Sequence, residues 1–189
     1  MKDILRAIVR DSIAVKQEAL EQNIDALEKV AQACIRCLKD GGTLFFFGNG
    51  GSAADSQHMA AEFIGRFQKE RRALPAIALT TDTSILTSLA NDYSYDIVFA
   101  RQLEALGRKG DVAFGISTSG RSKNVIKAFE AARARGMTTV AFTGGDGGPV
   151  AAMADLRITV PSKITARVQE SHGVLFHAVC EVVENALAA

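Results

Sequence analysis

Residues 43–63 read TLFFFGNGGSAADSQHMAAEF, and this stretch decides the fold. Its opening run is apolar throughout, too short to cross a membrane and too continuous for a strand with one face in water. Such a run is typical of a strand buried on both faces of a parallel sheet. A glycine-rich turn and a helix-forming segment follow it. The stretch therefore predicts a strand, a loop and a helix, the repeating unit of an α/β protein.

The same arrangement recurs along the chain. Later apolar runs resemble the first, and amphipathic segments of helical spacing lie between them. The predicted strands are 43–48, 75–80, 111–117, 138–144 and 156–161. The predicted helices are Ala53–Phe67, Tyr95–Leu106, Ser122–Arg135 and Thr165–Leu187. This alternation predicts a doubly wound α/β fold with a five-stranded parallel sheet flanked by helices.

A segment of helical spacing precedes the first strand and ends near Gly41, a residue suited to a helix C-terminus. We expect one long helix or a helical pair, and we divide the chain into an N-terminal helical segment (1–40) that packs on the same domain and a domain formed by residues 41–189. Apolar residues cover more than one face of this segment: Ile4, Ile8, Ile13, Leu20, Ile24, Leu27 and Ile35. Because one small domain has limited room to bury them, we expect a homo-oligomer.

Composition excludes several classes of function. Lys and Arg total 22 against 21 Asp and Glu, so no long-range field favours nucleic acid or an anionic membrane. No apolar run approaches the ~20 residues of a membrane span, and the first ten residues do not resemble a signal peptide. We therefore expect a cytoplasmic protein. Cys34 and Cys37 form a CxxC inside a helical segment without a second pair, which favours ordinary helix residues over a redox or zinc site.

Two loops after predicted strands are candidates for ligand binding, because ligands of such sheets bind beyond the carboxyl ends of the strands. The loop GNGGSAAD (48–55) has glycines that allow close backbone approach, and we expect Ser52 to cap the next helix. The loop STSGRS (117–122) has four hydroxyls before a helix, which suits either a phosphate site or a simple helix cap. Neither loop matches a dinucleotide or nucleoside triphosphate motif.

All three histidines fall on two predicted helices. His58 and Glu62 are four residues apart and share a helix face, as metal ligands, an acid–base pair or an ordinary solvated pair would. Gln169, His172 and His177 lie in the last, largely apolar helix, where polar side chains need partners. This second polar cluster raises the chance that His58 and Glu62 have a functional role rather than being an ordinary solvated pair.

Five stretches together resemble one known family: GNGGSAADSQHMAAEF, LTTDTSILTSLANDYSY, GISTSGRSKNVIKAF, AFTGGDGG and ARVQESHGVLFHAVCEVVE. They are similar to the sedoheptulose 7-phosphate isomerases, or phosphoheptose isomerases, of the sugar isomerase (SIS) superfamily. The resemblance covers almost the whole chain. Its most specific feature is HxxxE on one helix combined with QxxxxxxxH on the last. It implies the SIS fold, with the N-terminal helices as an addition.

The resemblance also implies the site residues. Glu62 and His177 match the catalytic acid–base pair. One zinc ion per subunit is implied, with ligands His58, Glu62, Gln169 and His177. The positions that match substrate-binding residues are Asn49, Gly50, Gly51, Ser52, Asn91, Asp92, Ser117, Thr118, Ser119, Ser122 and Gln169. Some members carry an aspartate three residues before the helix glutamine, where this chain has Ala166.

The implied activity is conversion of sedoheptulose 7-phosphate to D-glycero-D-manno-heptose 7-phosphate through an enediolate, the first step of ADP- or GDP-heptose biosynthesis. The implied assembly is a tetramer with sites at subunit interfaces. Two alternatives are a non-catalytic SIS module that binds a protein or senses a sugar phosphate, and an SIS enzyme for an amino sugar or arabinose phosphate. Glu62 and His177 favour the isomerase over the binding module.

The proposed metal site contains one geometric difficulty. Gln169 and His177 are eight residues apart, which is ~12 Å along a straight helix. Both could ligate one ion if their side chains lean together, if the helix is distorted near Gly173, or if two subunits contribute.

Overall fold

The computed structural model describes residues 1–188, which form a five-stranded parallel sheet between two layers of helices. The strands are β1 (Leu44–Gly48), β2 (Ala76–Ala78), β3 (Val112–Ser117), β4 (Thr138–Gly144) and β5 (Leu156–Val160). The helices are α1 (Lys2–Lys39), α2 (Gly51–Ile64), α3 (Thr83–Asp92), α4 (Ala100–Leu106), α5 (Lys123–Ala134), α6 (Gly148–Met153) and α7 (Thr165–Leu187). The strand order β2-β1-β3-β4-β5 confirms the predicted doubly wound sheet.

Alternate residues of the central strands fill two separate cores. Phe46 and Phe114 point to the layer of α1, α2 and α7, where their rings stack 4.7 Å apart. Phe45 and Phe47 point to the opposite layer, against α4 and α5. The prediction of burial on both faces is correct for β1, β3 and most of β4. It is wrong for β2 and β5, because these are the edge strands and each has an exposed residue.

Several predicted helices differ from the observed ones. Residues 2–39 form one continuous helix rather than a pair, and Gly41 follows it with a φ of 78°, as expected near a helix C-terminus. The predicted helix 95–106 is divided into a 3₁₀ turn, Tyr95–Ile97, and α4. Two helices, α3 and α6, were not predicted. Helix α3 packs Leu86, Leu89 and Ala90 on the core without burying any residue fully, and α6 has only six residues.

Helix α1 packs on the sheet through its apolar residues, and one of its side chains also hydrogen-bonds the free edge of β5. The Asn23 amide nitrogen donates to the backbone oxygen of Thr159 at 3.0 Å, and the Thr159 N–H donates to the Asn23 amide oxygen at 3.0 Å. The side chain therefore occupies hydrogen-bonding groups that an edge strand otherwise exposes.

The three cysteines are buried and form no disulfide. Burial raises the pKa of Cys37 and of Cys180 to about 12, and it also raises the pKa of Cys34. The CxxC thiols are therefore protonated core residues, since a reactive or metal-binding cysteine needs an accessible thiolate.

Candidate active site

The strand order changes direction between β1 and β3, so the loops after these strands diverge to opposite layers and leave a crevice. The two candidate loops both begin there. Asn49 of the first loop and Asn124 of α5 exchange reciprocal amide hydrogen bonds of 2.9 and 2.8 Å. The Tyr95 hydroxyl donates to the same Asn49 oxygen at 3.3 Å. These bonds fix the spacing of the loops.

The glycine loop differs from the prediction at one point. Helix α2 begins at Gly51, its N-cap is Gly50 with a φ of 58°, and no side chain caps it. Ser52 is therefore inside the first turn, where it is buried, and the predicted cap is wrong. Gly51 has a separate role, because a Cβ there would overlap the side-chain amide of Gln169. Gln169 thus approaches the glycine loop closely.

The hydroxyl loop leaves the N-terminus of α5 without a side-chain cap. Ser122 is the N-cap residue, but its hydroxyl pairs with that of Ser117 at 2.9 Å and makes no capping bond. The exposed Ser119 hydroxyl accepts a bond from the Arg121 N–H, before the helix begins. Neither Ser119 nor Ser122 therefore makes the hydrogen bond that the helix-cap interpretation requires. The arrangement suits an anion that binds hydroxyls and free helix N–H groups.

The loop after β4 packs backbone to backbone against the hydroxyl loop. A Cβ on Gly120 would overlap the Gly147 carbonyl, and a Cβ on Gly148 would overlap the Gly120 carbonyl. All three glycines have positive φ values, and the Val150 N–H donates to the Gly120 oxygen at 3.0 Å. This contact explains the glycines at positions 120, 147 and 148, and it packs the loop after β4 against the hydroxyl loop.

His58, Glu62 and His177 meet between α2 and α7. The His58 Nε2 and Glu62 Oε1 atoms are 2.8 Å apart, and the His58 and His177 ring centroids are 5.0 Å apart. One possible ligand atom from each of the three residues lies within 4.8 Å of the others. The buried Nε2 atom of His177 has no hydrogen-bond partner. Two imidazoles and a carboxylate with an unpartnered nitrogen fit a zinc-type ion.

Sequence reasoning missed Asp55, which lies on the same face of α2 as His58. One carboxylate oxygen of Asp55 is buried without a hydrogen-bond partner. Burial raises the pKa of Asp55, and the nearby His58 opposes this shift. The signal was available, because Asp55 is three residues before His58 and four after Gly51, so all three occupy adjacent turns of one helix.

The other predicted residues lie in different places. Gln169 contacts Gly51, ~10 Å along α2 from His58, so its position favours contact with substrate, and its role as a metal ligand stays a prediction. Helix α7 is continuous through Gly173, so no break brings Gln169 towards His177.

Asn91 and Asp92 are exposed at the end of α3 and hydrogen-bond to each other. The sheet-facing His172 is fully buried and is not part of the site.

Comparison with known proteins identifies the family of the chain. A family model described as "SIS domain" matches residues 9–144. The phosphoheptose isomerase of Roseiflexus sp. (strain RS-1) is 54% identical over 179 residues, which cover 95% of this chain and 91% of that protein. The chain belongs to the phosphoheptose isomerase family.

Solved structures agree with this family. The phosphoheptose isomerase from Neisseria gonorrhoeae superposes with a TM-score of 0.92 at 46% identity, over 97% of this chain and 98% of that one. The phosphoheptose isomerase from Francisella tularensis gives a TM-score of 0.93 at 35% identity, over 97% of each chain. The predicted SIS fold and family are therefore confirmed.

His172 provides a test of the core behind the site. Its ring packs edge-on to Phe142, its Nε2 donates to the Thr143 oxygen at 3.0 Å, and burial lowers its pKa from 6.5 to about 4. Between pH 6.5 and about pH 4, His172 is neutral in the folded protein but protonated in the unfolded chain. Its contribution to stability is therefore complete above pH 6.5 and is lost towards about pH 4, at up to ~1.4 kcal/mol per pH unit.

We expect the difference in unfolding free energy between wild type and His172→Gln to shrink as the pH falls through this window. Gln can still donate to Thr143 but does not titrate. Urea unfolding at several pH values measures the difference, and two parallel stability curves would contradict the assignment.

Proposed function

We propose that the protein is a phosphoheptose isomerase that converts sedoheptulose 7-phosphate to D-glycero-D-manno-heptose 7-phosphate. The observation that carries the proposal is the convergence of His58, Glu62 and His177 in a chain 54% identical to a phosphoheptose isomerase. A binding module needs no such group. The presence of both Glu62 and His177 therefore favours catalysis over sugar-phosphate sensing.

In this proposal the substrate binds in two regions. Ser117, Ser119 and Ser122, with Thr118, hold the phosphate at the N-terminus of α5, where uncapped N–H groups and the helix dipole favour an anion. The sugar lies near the other loop and the end of α3. The residues proposed to contact it are Asn49, Gly50, Gly51, Ser52, Asn91, Asp92 and Gln169.

The reaction moves a proton between C1 and C2 of the sugar. Glu62 removes the C1 proton as a general base, which forms the enediolate, and returns the proton to C2. His177 moves a proton between the C1 and C2 oxygens through the ring nitrogen that does not hold the metal ion. His58, 2.8 Å from Glu62, holds the carboxylate in place.

The same residues suit a metal ion. We propose that His58, Glu62 and His177 hold a zinc ion, with Gln169 as a further candidate ligand. When bound, zinc supplies Lewis-acid polarisation of the sugar oxygens and stabilises negative charge that develops on them. Two imidazoles and a carboxylate are ligands that zinc commonly takes.

Glu62→Gln tests the base. We expect kcat for sedoheptulose 7-phosphate to fall by ~10²–10⁴-fold with folding intact, because the amide has a similar shape but cannot accept the proton. Glu130→Gln, an exposed change on α5, is the control and keeps full activity. Chelation should abolish wild-type activity and zinc should restore it. Near wild-type kcat in Glu62→Gln would remove Glu62 from this role, and a wild type inactive with zinc would refute the proposed function.

Ser119→Ala tests the phosphate loop. Loss of a hydrogen bond to a charged group should weaken binding of sedoheptulose 7-phosphate by ~1–3 kcal/mol. Binding of unphosphorylated sedoheptulose should change little. Calorimetry in a Glu62→Gln background avoids turnover during the titration. Equal weakening of both ligands would mean that the loop supports the fold rather than the phosphate.

We also propose that the protein is a cytoplasmic homo-oligomer, most simply a tetramer. No helix within residues 1–188 is both long and apolar enough to span a membrane. The support for assembly is the projecting part of α1, where Ile4, Val9 and Ile13 are each more than half exposed. Val174 and Val182 on α7 are about half exposed as well. Such apolar surfaces usually mark a protein interface.

Light scattering tests the assembly. We expect about four times the 20.1 kDa mass of one chain, and a smaller species for Ile13→Asp. A monomeric wild type with full activity would contradict the proposal.

Because Glu62 and His177 meet within one chain, mixed oligomers of Glu62→Gln and His177→Ala subunits should stay inactive. Recovered activity would mean that the two residues act across a subunit interface.

A further inference from the structure

A buried ion pair lies directly behind the proposed acid–base residues. Arg71 follows α2, and Glu184 is near the end of α7. Their side chains are each only 2% exposed, and the Arg71 Nε and Glu184 Oε1 atoms are 3.1 Å apart. Burial of two charges costs free energy that their attraction seldom exceeds, so such a pair is weak evidence for stability alone. It calls for another explanation.

Glu184 organises the segment that connects α2 to β2. Its carboxylate accepts backbone N–H bonds from Phe67, Gln68 and Lys69 at 2.8, 2.7 and 2.9 Å. Burial opposes ionisation, but these bonds and the Arg71 charge lower the pKa of Glu184 below its usual range. One charged group therefore fixes three consecutive residues that lie outside any helix or strand.

Arg71 binds the C-terminal end of α2. Its guanidinium donates to the backbone oxygens of Glu62 at 2.7 Å, Phe63 at 2.9 Å and Gly65 at 3.2 Å. Helix C-terminal carbonyls lack partners within the helix, and a cation there also interacts favourably with the helix dipole. The last turn of α2, which carries Glu62, is thus fixed to Arg71.

The same segment reaches His177 from the other side. The Phe67 ring lies 5.5 Å from the His177 ring, and the Phe67 N–H is one of those bound by Glu184. On α7, Glu184 is seven residues after His177, two turns along one face. The ion pair therefore contacts the backbone of one acid–base residue and supports the neighbour of the other.

We propose that Arg71 and Glu184 are positioning residues for catalysis, which hold Glu62 and the Phe67–His177 contact in register across α2 and α7. This inference rests on the proposed isomerase activity. Neither residue touches the sugar in this proposal. Arg71 acts through the Glu62 backbone, and Glu184 acts through Phe67.

Glu184→Gln is the decisive change, because it keeps the side-chain shape but removes the charge and one acceptor. We expect kcat to fall by ~10–100-fold, the range for losing a group that orients an active-site ligand. KM should change little, since the phosphate loop is remote from the change. Arg71→Lys keeps the charge without the planar fork and should recover part of the wild-type kcat relative to Arg71→Met.

Asp111→Asn provides a matched control. Asp111 is also a buried carboxylate, and it accepts N–H bonds from Thr43 and Arg108 at 2.8 Å each. It precedes β3, and both carboxylate bonds go to residues outside α2, α7 and the segment that connects α2 to β2, so the change does not touch the contacts of Glu62 or His177. Both variants should lose thermal stability, but only Glu184→Gln should lose kcat. Equal kcat losses at matched thermal stability would reduce the pair to a structural role and overturn the proposal.

Two measurements separate this inference from the proposed function. Hydrogen exchange should show protected amides at Phe67, Gln68 and Lys69 in the wild type and rapid exchange in Glu184→Gln. Zinc affinity, from competition with a chromophoric chelator, should fall ~10–100-fold in that variant. An inactive wild type with both effects would refute the isomerase alone. Unprotected wild-type amides, or unchanged kcat and zinc affinity in Glu184→Gln, would refute the positioning role.

Discussion

The packing of α7 against the sheet is the contact on which the candidate site depends. Phe176 stacks on Phe142 with ring centroids 3.9 Å apart and lies 6.0 Å from Phe114. The next residue is His177, so the rotation that buries Phe176 in the aromatic core turns His177 towards α2. A large ring cannot shift in a close-packed core without leaving a cavity. Packing energy therefore fixes the direction of the proposed acid–base side chain.

Polar groups around α7 have sharply different surroundings. His172 faces the sheet, donates to a backbone carbonyl and is kept neutral by burial. His177, five residues later, instead lies beside His58 and Glu62 between α2 and α7. Farther along, Glu184 remains charged because backbone N–H groups and Arg71 surround it. One helix thus carries an imidazole packed on the sheet, an imidazole in the candidate site and a buried anion, each with different local partners.

Much of the fold could be predicted from local patterns, because a buried parallel strand has a continuous apolar sequence. The pairing of His58 with Glu62 was also predictable, since both lie on one helix. The approach of His177 is a tertiary contact that helical spacing cannot give. Arg71 was missed because a charged residue in a polar segment looks solvent-exposed in sequence. Its burial depends on Glu184, 113 residues later.

The amide of Asn23 on the backbone of Thr159 has a consequence for how copies of the chain can associate. Because this side chain already satisfies the outward-facing backbone groups of Thr159 on β5, it competes with any second strand that would extend the ladder there. A continuous ten-stranded sheet through that edge is thus disfavoured. Association is directed to side-chain surfaces, where single substitutions can tune affinity without altering backbone pairing.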